Sequence, residues 1–234
     1  MLPKISHELC GLTCELHGDG TMYVPALRTL FIADVHVGKT GQFRKEGIPA
    51  PKAIHRLAMA HLERAISRDG ATRVVFLGDL FEGRQNNETN DLKALFEQFS
   101  AVQFDLVKGN HDFDLPDWAQ LQIHEELVIG PFICLHEPPG SDFSTDLPFD
   151  THLIQSEYPN SGDSALLLCG HLHPGATLRG KGRSRARVKA FFIGEHLAVL
   201  PAFGALTGHY PLKENGQYFG ILENSIFNLG SWPK

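Results

Sequence analysis

The chain is poor in cysteine: four residues in 234, Cys10, Cys14, Cys134 and Cys169, with no C-x-x-C pair among them. Three of the four fall inside apolar, strand-like runs, so buried reduced thiols are expected rather than a disulfide framework. The sequence also lacks any apolar run long enough to span a bilayer. Its first residues, Met-Leu-Pro-Lys-Ile-Ser-His-Glu, carry no charged-then-apolar signal pattern. A soluble, cytoplasmic protein with no membrane partner is the expectation. A basic surplus is missing too. Lysine and arginine number 21 against 27 aspartates and glutamates, a formal net charge of −6. That argues against indiscriminate binding to polyanions and leaves room for a local basic patch. Internal repeats, coiled-coil heptads and low-complexity tracts are absent.

What is present starts with apolar residues, 42% of the chain and enough for a substantial core. Glu8 to Leu16 alternate loosely, and His17-Gly18-Asp19-Gly20 is a turn signal before Thr21-Met22-Tyr23-Val24, predicting an edge hairpin. Leu27 to Ala33 reads as a strand, and Lys39 to Pro51 as a loop. Pro51 to Arg68 has Ile54, Leu57, Ala58, His61, Leu62, Ala65 and Ile66 at helical spacing, with Pro51 suiting the start and Gly70 the stop. Arg73 to Leu77 is a short apolar run of the kind buried on both faces of a sheet. With the helix before it, this makes a β-helix-β unit. A polar loop over Glu82 to Asn90, a helix over Asp91 to Phe99 and a strand over Phe104 to Val107 follow.

Further on, Ile123–Ile129 and Phe132–Leu135 read as strands flanking Gly130-Pro131. The stretch 138–163 reads as a long surface excursion near the site. Ala165–Cys169 is another strand, and Val188–Ile193, His196–Leu200 and Phe219–Leu222 predict a second, antiparallel sheet. One α/β domain over residues 1–234, two packed sheets with helices on the outer faces, is expected.

The compositional outlier is histidine, at 13 residues. Several histidines stand in polar clusters directly after strand-like runs: Asp34-x-His36, Gly78-Asp79, Gly109-Asn110-His111-Asp112, His136 and Gly170-His171-x-His173. In extended backbone, residues two apart point the same way, so Asp34 with His36, and His171 with His173, each offer two ligands to one locality. Mixed imidazole and carboxylate ligands suit Mn, Fe, Ni, Co or Zn. The seven candidates exceed a single tetrahedral site and suit two divalent ions sharing a carboxylate, for which Asp79 is the natural bridge. The other histidines (His7, His17, His55, His61, His124, His152, His196, His209) read as structural or surface residues.

This ordered set resembles the calcineurin-like metallophosphoesterase family. The segments Asp34-Val-His36-Val-Gly38-Lys39, Phe-Arg44-Lys-Glu-Gly47-Ile-Pro49, Leu-His136-Glu137-Pro138 and Leu200-Pro201-Ala202-Phe203-Gly204-Ala205-Leu206-Thr207-Gly208 are similar to its bacterial DNA ligase-associated, PdeM-type subfamily. The resemblance implies a four-layer α-β-β-α sandwich of two mixed sheets. It assigns Asp34, His36, Asp79 and His173 to one metal, and Asp79, Asn110, His136 and His171 to the other, with manganese the first candidate. His111 resembles the family's general acid, Asp112 would orient its ring, and a metal-bridging hydroxide would attack phosphorus in line. A phosphodiesterase or nuclease in DNA repair, associated with a DNA ligase and a helicase, is the implied function. The chain departs from the Ser/Thr phosphatases after Asp79, where Leu-Phe-Glu-Gly-Arg84 replaces Val-Asp-Arg-Gly. Arg84 therefore cannot be equated with their phosphate-binding arginine, and phosphoproteins are not the implied substrate.

Other readings predict different things. Hydrolysis of a small phosphoester, a cyclic nucleotide or a nucleotide conjugate, uses the same centre. A non-catalytic scaffold of this fold predicts gaps among the ligand positions, and none is found. Lys39 and Arg44 are the candidate phosphate contacts. The basic alternation Arg179 to Lys189 would, as one strand, lay six charges along a face as a phosphate track. The Pro201 to Gly208 run reads as a turn packed on the core.

Overall fold

The computed structural model describes residues 2–141, 149–162, 164–179, 185–212 and 214–232. Two sheets divide the chain cleanly. The first holds β1 (Lys4–Leu9), β2 (Leu12–His17), β3 (Met22–Val24), β4 (Thr29–Ile32), β5 (Arg73–Leu77), β6 (Gln103–Val107) and β7 (Leu121–His124), side by side in chain order. It is antiparallel from β1 to β4 and parallel from β4 to β7. The second sheet begins at β8 (Leu127–Ile129) and β9 (Phe132–Cys134) and continues through β10 (Leu166–Cys169), β11 (Pro174–Arg179) and β12 (Arg185–Ile193). It ends with β13 (Leu197–Val199), β14 (Tyr210–Pro211), β15 (Gly216–Leu222) and β16 (Ser225–Trp232).

Alternation along each strand sets the layers. In β5, Val75 and Leu77 face the second sheet, where they join Phe31, Phe132, Leu168, Phe191 and Phe219 in the central core. Val74 and Phe76 face outward, under the helices α2 (Lys52–Arg68) and α3 (Asn87–Gln98). Phe96 of α3 stacks on Phe104 with ring centroids 4.0 Å apart and on Phe76 at 5.8 Å. On the far side, Leu167 and Cys169 of β10 pack with Phe192, Tyr218 and Ile154 of α4 (Thr151–Glu157). The result is the expected helix, sheet, sheet, helix order. All four cysteines are free, and burial pushes the Cys14 thiol up to about 12. Among the described residues, no helix is long and apolar enough to cross a membrane.

Several expectations give way. The predicted edge hairpin gains one strand, because Cys10 and Gly11, at φ 48° and 76°, reverse the chain and add β1. The Lys39–Pro51 loop begins with a helix, α1 (Lys39–Lys45). Its stabilisation is tertiary: Thr40 Oγ1 donates to Glu88 at 2.5 Å, and Gly41 lets the Asn86 side chain approach to where a Cβ would be 2.9 Å from Oδ1. Helix α3 starts earlier than predicted because the Asn86 side chain accepts from Glu88 N and caps it. The run Ile123–Ile129 is not one strand: β7 closes the first sheet and β8 opens the second. The second sheet is mixed, since β10 pairs in parallel with both β9 and β13. Within 138–163, α4 is capped by Asp150, which accepts from His152 N and Leu153 N, and 142–148 lie outside the described residues.

Candidate metal centre

Strands β4, β5 and β6 end together, and β9 and β10 of the second sheet end opposite them. The polar clusters therefore converge from two sheets, and not from a single sheet edge. The backbone carrying them is not extended either. Asp34, His36, Asp79, His171 and His173 have φ of 53°, 54°, 49°, 63° and 43°. Left-handed backbone of this kind costs a side-chain-bearing residue about 1–3 kcal/mol and persists only where neighbours over-determine it. Here Asp34 N donates to Gly78 O, His36 N to Asp79 O and Val37 N to Leu80 O. Tight turning of the chain brings Asp34 and His36 into one group with His173, while His171 turns toward His136.

Seven side chains form one network. Asp34 Oδ1 lies 3.5 Å from His173 Nε2 and 4.0 Å from His136 Nδ1, while its carboxylate accepts from His171 N at 3.2 Å. Asp79 turns Oδ2 toward His36 Nε2, at 3.9 Å, and Oδ1 toward His136 Nε2, at 3.5 Å. That is the disposition a bridging carboxylate needs. Asn110 Oδ1 and His171 Nδ1 stand 3.0 and 3.2 Å from the same His136 Nε2. Two close triads result, Asp34–His36–His173 and Asp34–Asp79–His136, each with ligand atoms within 4.8 Å of one another.

The donor set fits divalent cations. His136 Nδ1 donates to Leu77 O at 2.9 Å, which aims Nε2 at the centre, where a bound cation would replace its proton. His36 Nε2 is buried without a hydrogen-bond partner, an arrangement that a cation would satisfy. The His17 ring is also buried and unbonded, with Glu15 and Asp69 3.5 and 3.7 Å away. Those carboxylates are already paired with Lys4 and Arg68, so that cluster lacks the uncompensated charge of the centre.

Electrostatics follow the same geometry. Burial pushes the Asp79 carboxyl up, but the hydrogen bond and charge of His136 and the His111 N–H outweigh it and hold Asp79 down at about 2. Burial pulls the His136 ring down, and Asp79 and Asp34 reverse that to about 9. Burial and the neighbouring His136 together lower His171.

His111 stands at the mouth. Its side chain is 40% exposed, against 17% or less for Asp34, His36, Asp79, His136, His171 and His173. Its backbone N–H donates to Asp79 Oδ1 at 2.9 Å, and its ring sits edge-on to His36 with centroids 5.2 Å apart. Asp112 does not contact that ring. Fully buried, it accepts from Phe81 N and Gly109 N and ties the two loops together. The carboxylate beside the ring is Glu82, with Oε1 3.4 Å from His111 Nδ1 and Oε2 2.7 Å from His36 Nδ1. Reading the sequence left Glu82 inside a featureless loop. Its place three residues past Asp79, in the same turn, was the available signal.

Lys39 Nζ reaches the same Glu82 at 3.3 Å, close to the centre. Arg44 is engaged elsewhere, with Nη2 2.7 Å from Glu88 and Nη1 donating to Ala50 O. The basic run is a hairpin and not one strand: Arg179 of β11 pairs with Arg185 of β12, and 180–184 lie outside the described residues. Arg185 and Arg187 are exposed, whereas Lys189 is drawn into the structure. The Pro201–Gly208 run packs against the first ligand segment, with Phe203 N donating to Ala33 O and Gly204 N to Asp34 O. Among the histidines read as structural, His55 pairs with Asp91, His124 with Asp105 and His196 with the Ser161 carbonyl.

Comparison with known proteins bears on the fold and the family. The nuclease MPE from Pseudomonas putida has a TM-score of 0.72 and 24% identity over 97% of this chain and 100% of that one. Vps29 from Entamoeba histolytica, at TM-score 0.37 and 16% identity, covers 86% of this chain and 96% of its own. A dimetal phosphatase from Danio rerio has TM-score 0.33 and 13% identity, over 87% and 95%. The first likeness establishes the fold; the other two are too distant to carry an argument. No curated protein sequence matches the chain. The calcineurin-like phosphoesterase family, however, matches residues 27–220, so the chain belongs to that family of metal-dependent phosphoester hydrolases.

Proposed function

We propose that the protein is a two-metal phosphodiesterase acting on nucleic acid or nucleotides. The observation that supports this best is the meeting of seven ligand-type side chains with a half-exposed imidazole, His111, at their rim. Asp34, His36, Asp79 and His173 would hold one ion, and Asp79, Asn110, His136 and His171 the other, with manganese the first candidate. When bound, such ions lower the pKa of water and neutralise phosphate oxygens. The protein's own part is positional. Asp79 keeps two ligand sets in register, and Glu82 braces His36 and His111 together. His111 donates a proton to the departing alkoxide, which leaves poorly unprotonated. Lys39, beside Glu82, is the stronger phosphate contact; Arg44 would have to leave Glu88.

The resemblance to ligase-associated phosphoesterases, and a nuclease among proteins of the same fold, support a setting in DNA repair with a DNA ligase and a helicase as functional partners. A second reading, a small phosphoester as substrate, draws support from the incomplete basic track, since Lys189 is withdrawn from it. Turnover of bis-p-nitrophenyl phosphate, p-nitrophenyl phosphate and single- and double-stranded oligonucleotides with Mn²⁺ separates the two. Diester and oligonucleotide cleavage are expected. Diester cleavage without any action on DNA or RNA, whatever the metal, would transfer the assignment to small phosphoesters.

A further inference from the structure

Lys189 lies on β12 of the second sheet, far in sequence from every ligand segment of the first. Its ammonium is mostly buried and is spent entirely on main-chain oxygens. Nζ donates to Ala202 O at 2.6 Å and to Gly204 O at 2.8 Å, with Phe203 O at 3.5 Å. No carboxylate pairs with it at ion-pair distance among the described residues. Three carbonyls turned toward one cation fix the course of the chain between Pro201 and Thr207.

That same stretch holds the first ligand segment. Ala202 pairs with Ala33 in a parallel bridge. Phe203 N donates to Ala33 O at 2.8 Å and Gly204 N to Asp34 O at 3.0 Å. The approach is close enough that a Cβ on Gly204 would lie 2.9 Å from Val35 O and 3.1 Å from Asp34 O. Asp34 and His36 are both left-handed and need such external restraint. We propose that Lys189 is a positioning residue for the metal centre: through the 202–204 carbonyls it clamps the turn that holds Asp34 and His36 in ligating geometry. The inference rests on the metal-centre reading above and adds to it a residue from the opposite sheet that touches neither ion nor substrate.

The test is metal affinity, measured by calorimetric titration of chelator-stripped protein with Mn²⁺, alongside thermal melting. Lys189→Met keeps the stem and removes the charge and donors. Loss of a group that orients ligands weakens metal binding by about 10–100-fold, and that weakening is expected here with the circular dichroism spectrum unchanged. A packing role alone would lower the melting temperature and leave the affinity as it was. Gly204→Ala supplies an independent variant, because it pushes the same turn off Asp34 with Lys189 intact. The same loss of Mn²⁺ affinity is expected. Wild-type affinity in a folded Lys189→Met would overturn the clamp, as would wild-type affinity in Gly204→Ala should Lys189→Met fail to fold. Wild-type protein that takes up no Mn²⁺ would remove the centre itself, and the clamp with it.

Discussion

At the scale of single residues, the centre works through a division of exposure. Of the proposed ligands Asp34, His36, Asp79 and His136 are buried and His171 and His173 partly so, whereas Asn110 and His111 lie toward the surface of the cleft, with Glu82 beside the His111 ring. A general acid matters in proportion to the basicity of the leaving group. His111→Asn should therefore lower kcat about 10²–10⁴-fold on an alkyl or nucleotide diester. Bis-p-nitrophenyl phosphate, whose leaving phenolate needs little protonation, should lose much less. Steady-state assays on the two ester classes, with metal content measured in parallel, check this. Equal losses on both would point to a substrate-holding role.

A second residue-scale consequence lies away from the centre. Burial pushes the Asp19 carboxyl up, but the Arg68 charge and the Thr21 hydrogen bonds hold it below its ordinary 3.8. A depressed carboxylate stabilises the fold at pH values above its unfolded pKa and stops doing so as pH falls through the folded one. Asp19→Asn should lower stability at neutral pH by about 2 kcal/mol. That is about 5 °C in melting temperature for a chain of this size. The gap to wild type should close on acidification below 3.8. Melting curves from neutral to acid pH would show whether it does.

At the scale of elements, the approach that bears on the centre is between the ends of β5 and β9. Gly78 has φ 78°, and a Cβ there would stand 2.0 Å from His136 Nδ1. Gly78→Ala should displace His136 and empty the ion position it serves. The expected result is one equivalent of Mn²⁺ lost by elemental analysis, with secondary structure retained. Most of this scale was legible in the residues. Apolar runs such as Arg73–Leu77 announce buried strands, and α2 carries its own period and its own stop. Helix α1 was not legible, because Lys-Thr-Gly-Gln-Phe-Arg-Lys has no apolar stripe and owes its form to Asn86 and Glu88, over forty positions downstream. The split between β7 and β8 was equally hidden, since the Glu125-Glu126 interruption does not say that the runs on either side enter different sheets. The ligand residues themselves could be picked out by type and order. Their left-handed backbones could not, because contacts from the neighbouring strand ends impose them. Asp112, which the resemblance sets behind the His111 ring, accepts from Phe81 N and Gly109 N, and Glu82, to which no role was given, stands beside that ring because the turn after β5 carries it there.

At the scale of the molecule, a cluster of two aspartates and four histidines drawn from two sheets should couple metal binding to global stability. Ligand that binds only the folded state adds about 2.7 kcal/mol at a hundred times its dissociation constant. For a chain of this length that raises the melting temperature by about 8 °C. Scanning calorimetry with and without excess Mn²⁺ should show the rise, and a chelator should reverse it. A melting temperature indifferent to metal would count against a centre that spans both sheets.

The boundary between those sheets has a practical corollary. Every strand of the first lies before Glu125, and every strand of the second after Glu126. A cut at that one peptide bond would part the ligands as well: Asp34, His36, Asp79 and Asn110 on one piece, His136, His171 and His173 on the other. Each piece would present the apolar face that forms the central core, so co-expressed halves should find each other. Phosphoesterase activity would then report their reunion, and neither half should show any alone.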